Sequence, residues 1–269
     1  MLQAEIGLMA LVAGLYFYDA ALLLHCNEGV LRPKGRDAWA VGFGSARFQL
    51  RGKELYLPHP LLMHKPLFRL AWTMEGLDQE ENQGKGKAEG KAVDKAMDKA
   101  VDKGAGQQEA AARRWTDARG SYRGAAPMLW GIALALFVLL PLGLFSRLGE
   151  PMLLLALALT YLNLITLLAW LWFSRKRLGL APRRVASMAF EALSCPPFAL
   201  NLVRHLSLAR AVDEDLARAA RRLQRPADWE LTRHALLARL REEIESEVEA
   251  SPRQQRLKAH HHTLAQEAP

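Results

Sequence analysis

Two polar side chains within long, mainly apolar segments are candidates for function. Asp19 lies in the apolar segment 1–24, and Asn163 lies in the apolar segment 151–173. A carboxylate inside a membrane-spanning helix is a functional candidate by default, but Asp19 is near enough to the end of its segment to reach headgroups or a lysine or arginine. An amide at mid-bilayer needs a partner on another helix, so Asn163 is expected to join helices or subunits rather than to line a transport path.

Histidine side chains offer metal-binding chemistry, but their spacing fits no standard ligand motif. His59 and His64 flank Pro60, which prevents a helical arrangement of the two rings. We therefore expect surface or capping roles for them. The histidines at 260–262 would bind nickel or zinc only adventitiously. The sequence predicts neither a metal site nor a cofactor.

Cys195 precedes two prolines and has no adjacent base, which favours a bend residue over a reactive thiol. An enzymatic site, as an alternative, would draw on polar residues outside the apolar segments: His59, His64, Arg69, Arg204 and His205. No phosphate-binding loop, His-Glu-x-x-His or Gly-x-Ser-x-Gly pattern occurs. No residue is therefore assigned as catalytic.

These residues would be positioned by long apolar segments. Residues 127–145 and 151–173 contain no charged side chain, and each is close to the roughly 20 residues with which a helix crosses a bilayer. Only residues 146–150 connect them, which predicts a transmembrane hairpin over 127–173. Residues 1–24 contain no lysine or arginine and so lack the basic region of a secretory signal peptide. They are therefore expected to form a further span, an uncleaved anchor. The predicted fold class is a mainly α integral membrane protein with three transmembrane helices.

The distribution of charge predicts the orientation of the spans. Of the 36 lysines and arginines, only Arg147 lies in the 146–150 connection. The positive-inside rule then places the N-terminus outside and the C-terminus in the cytoplasm, in a membrane that we expect to be the bacterial cytoplasmic one. The same rule explains the net charge of +8 without a nucleic-acid partner.

Residues 25–74 are expected to form a small β-containing cytoplasmic module. Residues 47–50 and 54–57 alternate polar and apolar side chains around a turn in which Gly52 can take a positive φ. Residues 67–72 supply one more short strand, after prolines at 58, 60 and 66 that impose an extended path. Residues 75–126 are of low complexity and are expected to be a disordered linker.

The part of the chain after the hairpin is expected to lie in the cytoplasm or at the membrane surface. Residues 174–210 combine a basic cluster with amphipathic interfacial helices that bend at Cys195. The cluster is expected to bind anionic lipid headgroups through Arg175, Lys176, Arg177, Arg183 and Arg184. Residues 211–250 are predicted to be cytoplasmic helices, and residues 251–269 a disordered tail.

The function that follows from this organisation is a non-enzymatic scaffold or accessory subunit of a membrane complex. Its partners would be the lipid bilayer and a membrane protein or a second copy of the chain. One alternative is a membrane enzyme that acts on a lipid or amphipathic substrate at the cytoplasmic face. The other is a small transport component that uses Asp19 and Asn163.

Overall fold

A computed structural model of the chain describes residues 2–35, 38–72, 113, 115–147, 149–210, 214–246 and 251–266. Helices account for most of these residues, and six short strands form a small β module. The chain divides into two compact units. The first unit comprises residues 1–23, 55–67 and 117–211, and the second comprises residues 24–54, 68–116 and 212–269.

The N-terminal helix is shorter than the apolar segment that contains it. Helix α1 spans Leu2–Ala20, and the leucines that follow form strand β1, Leu22–Leu24. The expected helical span over 1–24 is therefore corrected, because β1 hydrogen-bonds to a neighbouring strand instead of extending the helix. Helix α1 also contains the polar or charged residues Gln3, Glu5 and Asp19.

Two of the described helices are long and apolar enough to cross a membrane. They are α2, Trp115–Phe145, and α3, Gly149–Ser174. The expected hairpin lies within these two helices, whereas the expectation of three spans is not confirmed. Within α2 a 3-10 turn occurs at Arg123–Ala125 and a π-helical stretch at Ala135–Leu139. The π stretch ends just before Pro141, where the helix lacks an N–H donor.

Helix α2 begins well before the expected hairpin, so the predicted disordered linker is wrong over 115–126. A stripe of buried side chains runs through residues 115–126 and continues into the expected hairpin, at alternating spacings of three and four residues. Its members are Trp115, Ala118, Tyr122, Ala125, Leu129, Ile132 and Leu136. This continuous apolar face stabilises the helix across the expected boundary. The rest of the predicted linker, apart from residue 113, lies outside the described residues.

Close contacts join α2 to α3. A Cβ atom added at Gly131 would lie 2.3 Å from Asn163 Oδ1, and one added at Gly124 would lie 2.4 Å from Trp170 Nε1. A third such contact occurs between Gly143 and Leu153. Glycine at these three positions allows the larger side chain of α3 to lie against the backbone of α2.

Three shorter helices complete the first unit: α4, Pro182–Ser194; α5, Pro196–Ala199; and α6, Leu202–Leu208. Cys195 lies between α4 and α5 with an extended φ of −141°, so the expected bend at this residue is observed. The two prolines that follow explain the break, because the residue before a proline is disfavoured in helical conformation.

The β module contains two three-stranded sheets. The first has the order β1–β5–β4, with β4 at Ser45–Leu50 and β5 at Lys53–Tyr56. Arg51 and Gly52 between them have φ values of 51° and 74°, as a tight hairpin turn requires. The hairpin predicted from the sequence is therefore present.

The second sheet has the order β3–β2–β6, with β2 at Glu28–Lys34, β3 at Ala38–Gly42 and β6 at Phe68–Ala71. Both pairings are antiparallel; Leu31 lies opposite Val41 on β3 and opposite Phe68 on β6. The short strand expected at 67–72 corresponds to β6, whereas β2 and β3 were not anticipated.

Aromatic side chains form the core beside the second sheet. The Phe68 and Trp115 rings meet edge to face with centroids 5.0 Å apart, and the Trp39 and Trp115 centroids are 5.7 Å apart. The Trp115 indole N–H also donates a hydrogen bond to Glu214 Oε2 at 2.8 Å. The start of α2 is thus fixed within the second unit by both packing and a hydrogen bond.

Three C-terminal helices belong to the second unit: α7, Leu216–Leu223; α8, Pro226–Ser246; and α9, Pro252–Gln266. Helix α7 begins after Asp215, whose carboxylate accepts hydrogen bonds from two backbone N–H groups of its first turn. It contacts β2 closely enough that a Cβ at Gly29 would lie 2.7 Å from Leu216 Cδ2.

Helix α9 replaces most of the tail that was expected to be disordered, so that prediction is corrected. Ser251 Oγ accepts a hydrogen bond from the Gln254 N–H, and Pro252 occupies the first helical position. Leu257 and Leu264 are buried, and α9 contacts α8. The helix is therefore stabilised by a cap at its start and by an apolar stripe along its length.

Candidate functional site

The polar residues of the first unit converge where the end of α1 meets the start of α6. Tyr16 and Asp19 are three residues apart and share a face of α1, and Asn201, Arg204 and His205 share a face at the start of α6. The Asn201 side-chain amide donates to the Tyr16 carbonyl at 3.1 Å. These two faces therefore meet through hydrogen bonds as well as through apolar contact.

Arg204 is the centre of this network and is 2 % exposed. Its guanidinium donates to Asn201 Oδ1 at 2.7 Å, to the His59 carbonyl at 2.8 Å, and more weakly to Tyr16 Oη at 3.5 Å. Burial lowers the pKa of the Arg204 guanidinium, while Tyr16 opposes that shift. The hydrogen bonds compensate for desolvating the charge, which gives Arg204 a structural role in joining three segments of the chain.

Tyr16 and Ser207 tie the 55–67 segment to the same helices. Tyr16 Oη donates to the Pro60 carbonyl at 2.6 Å, and Ser207 Oγ accepts from the Leu67 N–H at 2.8 Å. Helix α1, the 55–67 segment and α6 therefore share one hydrogen-bonded centre.

Asp19 and His205 form the part of this region that is open to solvent. Asp19 Oδ1 lies 3.0 Å from His205 Nε2, with side chains that are 17 % and 42 % exposed respectively. The other carboxylate oxygen, Oδ2, is buried and has no hydrogen-bond partner among the described residues. In neutral His205 an Nε2–H that donates to Asp19 leaves Nδ1 as a proton acceptor. A carboxylate-oriented imidazole of this kind can take up and release a proton.

A small pocket of about 70 Å³ lies beside this pair. Its lining combines Asp19, His205 and Glu191 with apolar side chains of α4, α5 and α6: Met188, Ala192, Phe198 and Leu202. The volume is sufficient for a few water molecules or a small polar group. The Asp19–His205 pair has an arrangement suited to proton transfer. Within the described residues, no group of three or more histidine, cysteine, aspartate or glutamate side chains is arranged to hold a metal ion.

His59 caps a local turn. Its Nδ1 accepts a hydrogen bond from the Leu61 N–H at 3.3 Å, at the start of the 3-10 turn Pro60–Leu62. This is the capping role expected from the sequence. The His59 carbonyl, and not its ring, contacts Arg204.

His64 contacts an aromatic ring of α2. The His64 and Trp130 centroids are 6.0 Å apart, and burial lowers the pKa of the His64 imidazole, with Lys65 and Arg204 acting in the same direction. The ring is therefore held toward its neutral form, and it does not line the Asp19–His205 pocket.

Cys195 is a free, partly buried cysteine at the bend between α4 and α5. Desolvation raises the pKa of its thiol, and the nearby Asp19 charge adds to the shift. Both effects oppose formation of the nucleophilic thiolate, so the geometry supports a bend residue.

The two remaining candidates lie outside this centre. Asn163 contacts Gly131, and its amide nitrogen donates to the Leu159 carbonyl at 2.8 Å within α3. Arg69 is on β6 in the second unit, where its Nε lies 3.3 Å from Glu28 Oε2. Asn163 thus lies at the contact between α2 and α3, but this amide hydrogen bond is made within α3 and not, as was expected, to a partner on another helix. Arg69 forms an ion pair with an adjacent strand.

Tyr16 and Asn201 are members of the centre that sequence reasoning missed. A usable signal was present, because Tyr16 precedes Asp19 by three residues and Asn201 precedes Arg204 by three. Polar residues at this spacing share a helix face, which could have extended the candidate list on both helices.

The second unit has its own buried polar contact. Glu54 is 5 % exposed, and its Oε2 lies 2.7 Å from Arg239 Nη1 of α8. Arg239 also donates to the Gly44 carbonyl at 2.6 Å, and its guanidinium carbon lies 4.9 Å from the Phe43 ring centroid. This contact fixes the base of the β4–β5 hairpin to a C-terminal helix.

Comparisons with protein-family models, with curated proteins and with solved structures found no match to this chain. The case for a function therefore depends on the contacts described above.

Proposed function

We propose that the chain is a membrane-embedded scaffold or accessory subunit, held in the bilayer by the α2–α3 hairpin. The observation that supports this proposal is the outward-facing apolar surface of both helices. On α3, Leu154, Leu162, Ile165 and Phe173 are all more than half exposed, and α2 exposes Leu134 and Phe145. A core helix of a soluble protein would bury such side chains, whereas lipid tails or another apolar helix would cover them.

In this proposal α1 is a third span, with its N-terminus outside and the C-terminal helices in the cytoplasm. Its apolar side chains Ile6, Leu11 and Tyr18 are more than half exposed, which suits contact with lipid. Helix α1 contains 19 residues, or about 28 Å at 1.5 Å per residue, close to the thickness of the hydrocarbon core.

The basic cluster after α3 supports the proposed orientation. Arg175 lies over the Trp172 ring, with its guanidinium carbon 3.9 Å from the centroid, as is common at a membrane interface. Arg183 and Arg184 are exposed at the start of α4, a strongly amphipathic helix that also exposes Phe190. We propose that α4 lies in the interface and that this cluster binds anionic headgroups.

Membrane insertion and orientation are tested with the two native cysteines, Cys26 and Cys195. The protein is expected to stay in the membrane fraction after alkaline carbonate extraction. A membrane-impermeant thiol reagent is expected to label neither cysteine in intact cells and to label both after permeabilisation. Release into the carbonate supernatant would contradict insertion, and labelling of Cys26 in intact cells would contradict the orientation.

The scaffold role is tested by purification in mild detergent followed by mass measurement of the intact particle. A stoichiometric protein partner or a homo-oligomer is expected. A chain that is consistently recovered as a monomer without a partner would contradict the role and leave the membrane insertion unaffected.

The Asp19–His205 pair and its pocket favour a second candidate, an enzyme acting on a lipid or amphipathic substrate at the cytoplasmic face. In that case Asp19→Asn and His205→Gln would each abolish complementation of a deletion strain while the protein level remained normal. Arg123→Gln, an exposed change in the 3-10 turn of α2, is the matched control. Full complementation by both pair variants would exclude this candidate.

A further inference from the structure

The β4–β5 hairpin exposes large apolar side chains on a strand that the second unit does not cover. Every residue from Ala46 to Leu50 is exposed, with Phe48 at 64 % and Leu50 at 59 %. Side chains alternate along a strand, so Phe48 and Leu50 share one face and Gln49 points to the other. Among the described strands, β4 lies at the end of its sheet.

The exposed charges of this hairpin are all positive. Between Ser45 and Tyr56 the basic residues are Arg47, Arg51 and Lys53, and the one acidic residue is Glu54. Glu54 is buried and forms an ion pair with Arg239, so it does not offset the positive charge at the surface. An apolar face combined with exposed cations is complementary to an anionic lipid surface.

The hairpin is also held in place before any ligand binds. Arg51 and Gly52 form its tight turn, and Arg239 fixes its base through Gly44 and Glu54. Binding would therefore order few additional residues. Among the described strands β4 lies at the edge of its sheet, so backbone groups along its outer side need hydrogen-bonding partners, which the headgroup layer supplies and the hydrocarbon core does not.

We propose that the β4–β5 hairpin is a second membrane-contacting element, which inserts Phe48 and Leu50 into the headgroup layer of an anionic bilayer. Arg47, Arg51 and Lys53 bind the lipid phosphates. The proposal rests on membrane insertion of the chain through α2 and α3. It commits to lipid as the occupant because no exposed acidic side chain on the hairpin would oppose an anionic surface.

The test uses the full chain with Cys26→Ser and Cys195→Ser, carrying an environment-sensitive fluorophore on Leu50→Cys. The matched control carries the fluorophore on Gln49→Cys, the adjacent residue on the opposite face. Both are reconstituted in vesicles of phosphatidylcholine, with or without phosphatidylglycerol. Quenching by a nitroxide placed just below the headgroups reports contact with lipid, and flotation of the vesicles reports insertion of the chain.

Quenching is expected to be stronger at position 50 than at position 49 and to require phosphatidylglycerol. Arg47→Glu combined with Arg51→Glu should lower the ratio of docked to undocked hairpin by at least about tenfold, since each basic residue contributes about fivefold near an anionic surface. Phe48→Ser should also lower it. Hydrogen exchange of β2 and β3 verifies that the variants remain folded.

Three results would overturn the proposal. The first is equal quenching at positions 49 and 50, and the second is quenching that is insensitive to anionic lipid and to the arginines. The third is a label at position 50 that is shielded from solvent in native membranes but exposed to solvent in pure-lipid vesicles. That result would mean that a protein partner, and not lipid, covers this face of the hairpin. A chain that floats with the vesicles while its label at position 50 stays exposed to solvent would refute only this inference. A chain that does not float with the vesicles would refute the membrane proposal itself.

Discussion

Arg204→Met is expected to loosen the centre of the first unit. The substitution keeps a long side chain but removes the donors for Asn201 Oδ1 and the His59 carbonyl, which accept at 2.7 and 2.8 Å. Hydrogen bonds from a charged donor are worth about 1.5–3 kcal/mol each, and apolar packing by methionine offsets part of the loss. The longer contact to Tyr16 Oη at 3.5 Å adds little.

The free energy of local unfolding of α6 is therefore expected to fall by about 3 kcal/mol. This change corresponds to an increase of roughly a hundredfold in the population of the open state. Hydrogen exchange measured by mass spectrometry follows this opening directly, because the backbone amides of 202–208 exchange from the open state. The amides of α8, in the other unit, provide an internal reference that should not change.

Arg123→Met is the matched control, since Arg123 is an exposed arginine of the same unit. It should leave exchange over 202–208 as in the native chain. If Arg204→Met also left that exchange within about threefold of native, the reasoning that Arg204 holds α1, α6 and the 55–67 segment together would be refuted.

Two further predictions concern the first unit: one the contact between α2 and α3, the other the burial of Cys195. Gly131→Ala should destabilise the α2–α3 hairpin by about 1–3 kcal/mol, because its Cβ would lie 2.3 Å from Asn163 Oδ1. Adding Asn163→Ala should restore most of the thermal stability in detergent, and the absence of rescue would contradict the contact. Because burial raises the pKa of the Cys195 thiol, alkylation of a Cys26→Ser chain should reach its plateau at a higher pH than that of a short cysteine peptide; equal profiles would contradict the burial.

The parts of the fold that could be predicted were those specified by local pattern. The charge-free apolar segments gave the α2–α3 hairpin, alternation around Gly52 gave the β4–β5 hairpin, and consecutive prolines gave the bend at Cys195. In each case neighbouring residues determine the local structure with little help from the rest of the chain.

The errors occurred where a tertiary contact decides between two locally acceptable structures. Leucines 22–24 can extend a helix or form a strand, and pairing with a neighbouring strand selects the strand. The stripe that begins at Trp115 includes Ala118 and Ala125, whose burial becomes clear only beside their packing partners. For α9 the Ser251–Pro252 start signal was present in the sequence and was not used.

The candidate site was half predictable for a similar reason. Asp19, Arg204 and His205 were identified as ionisable residues in or beside apolar segments. Their association was not, because Asp19 and His205 are 186 residues apart and only the packing of α1 against the later helices brings them within 3.0 Å.

The second unit is assembled from widely separated parts of the chain, and this affects its synthesis. The Lys34–Asp228 ion pair and the Arg239–Gly44 hydrogen bond join residues 194 and 195 positions apart. Strands β2 and β3 therefore leave the ribosome long before the helices that cover them, and α2 and α3 emerge in the interval. Until α7 arrives, the surface of β2 around Gly29 lacks its Leu216 contact. A nascent chain of this kind needs protection from aggregation until about its last fifth has been made.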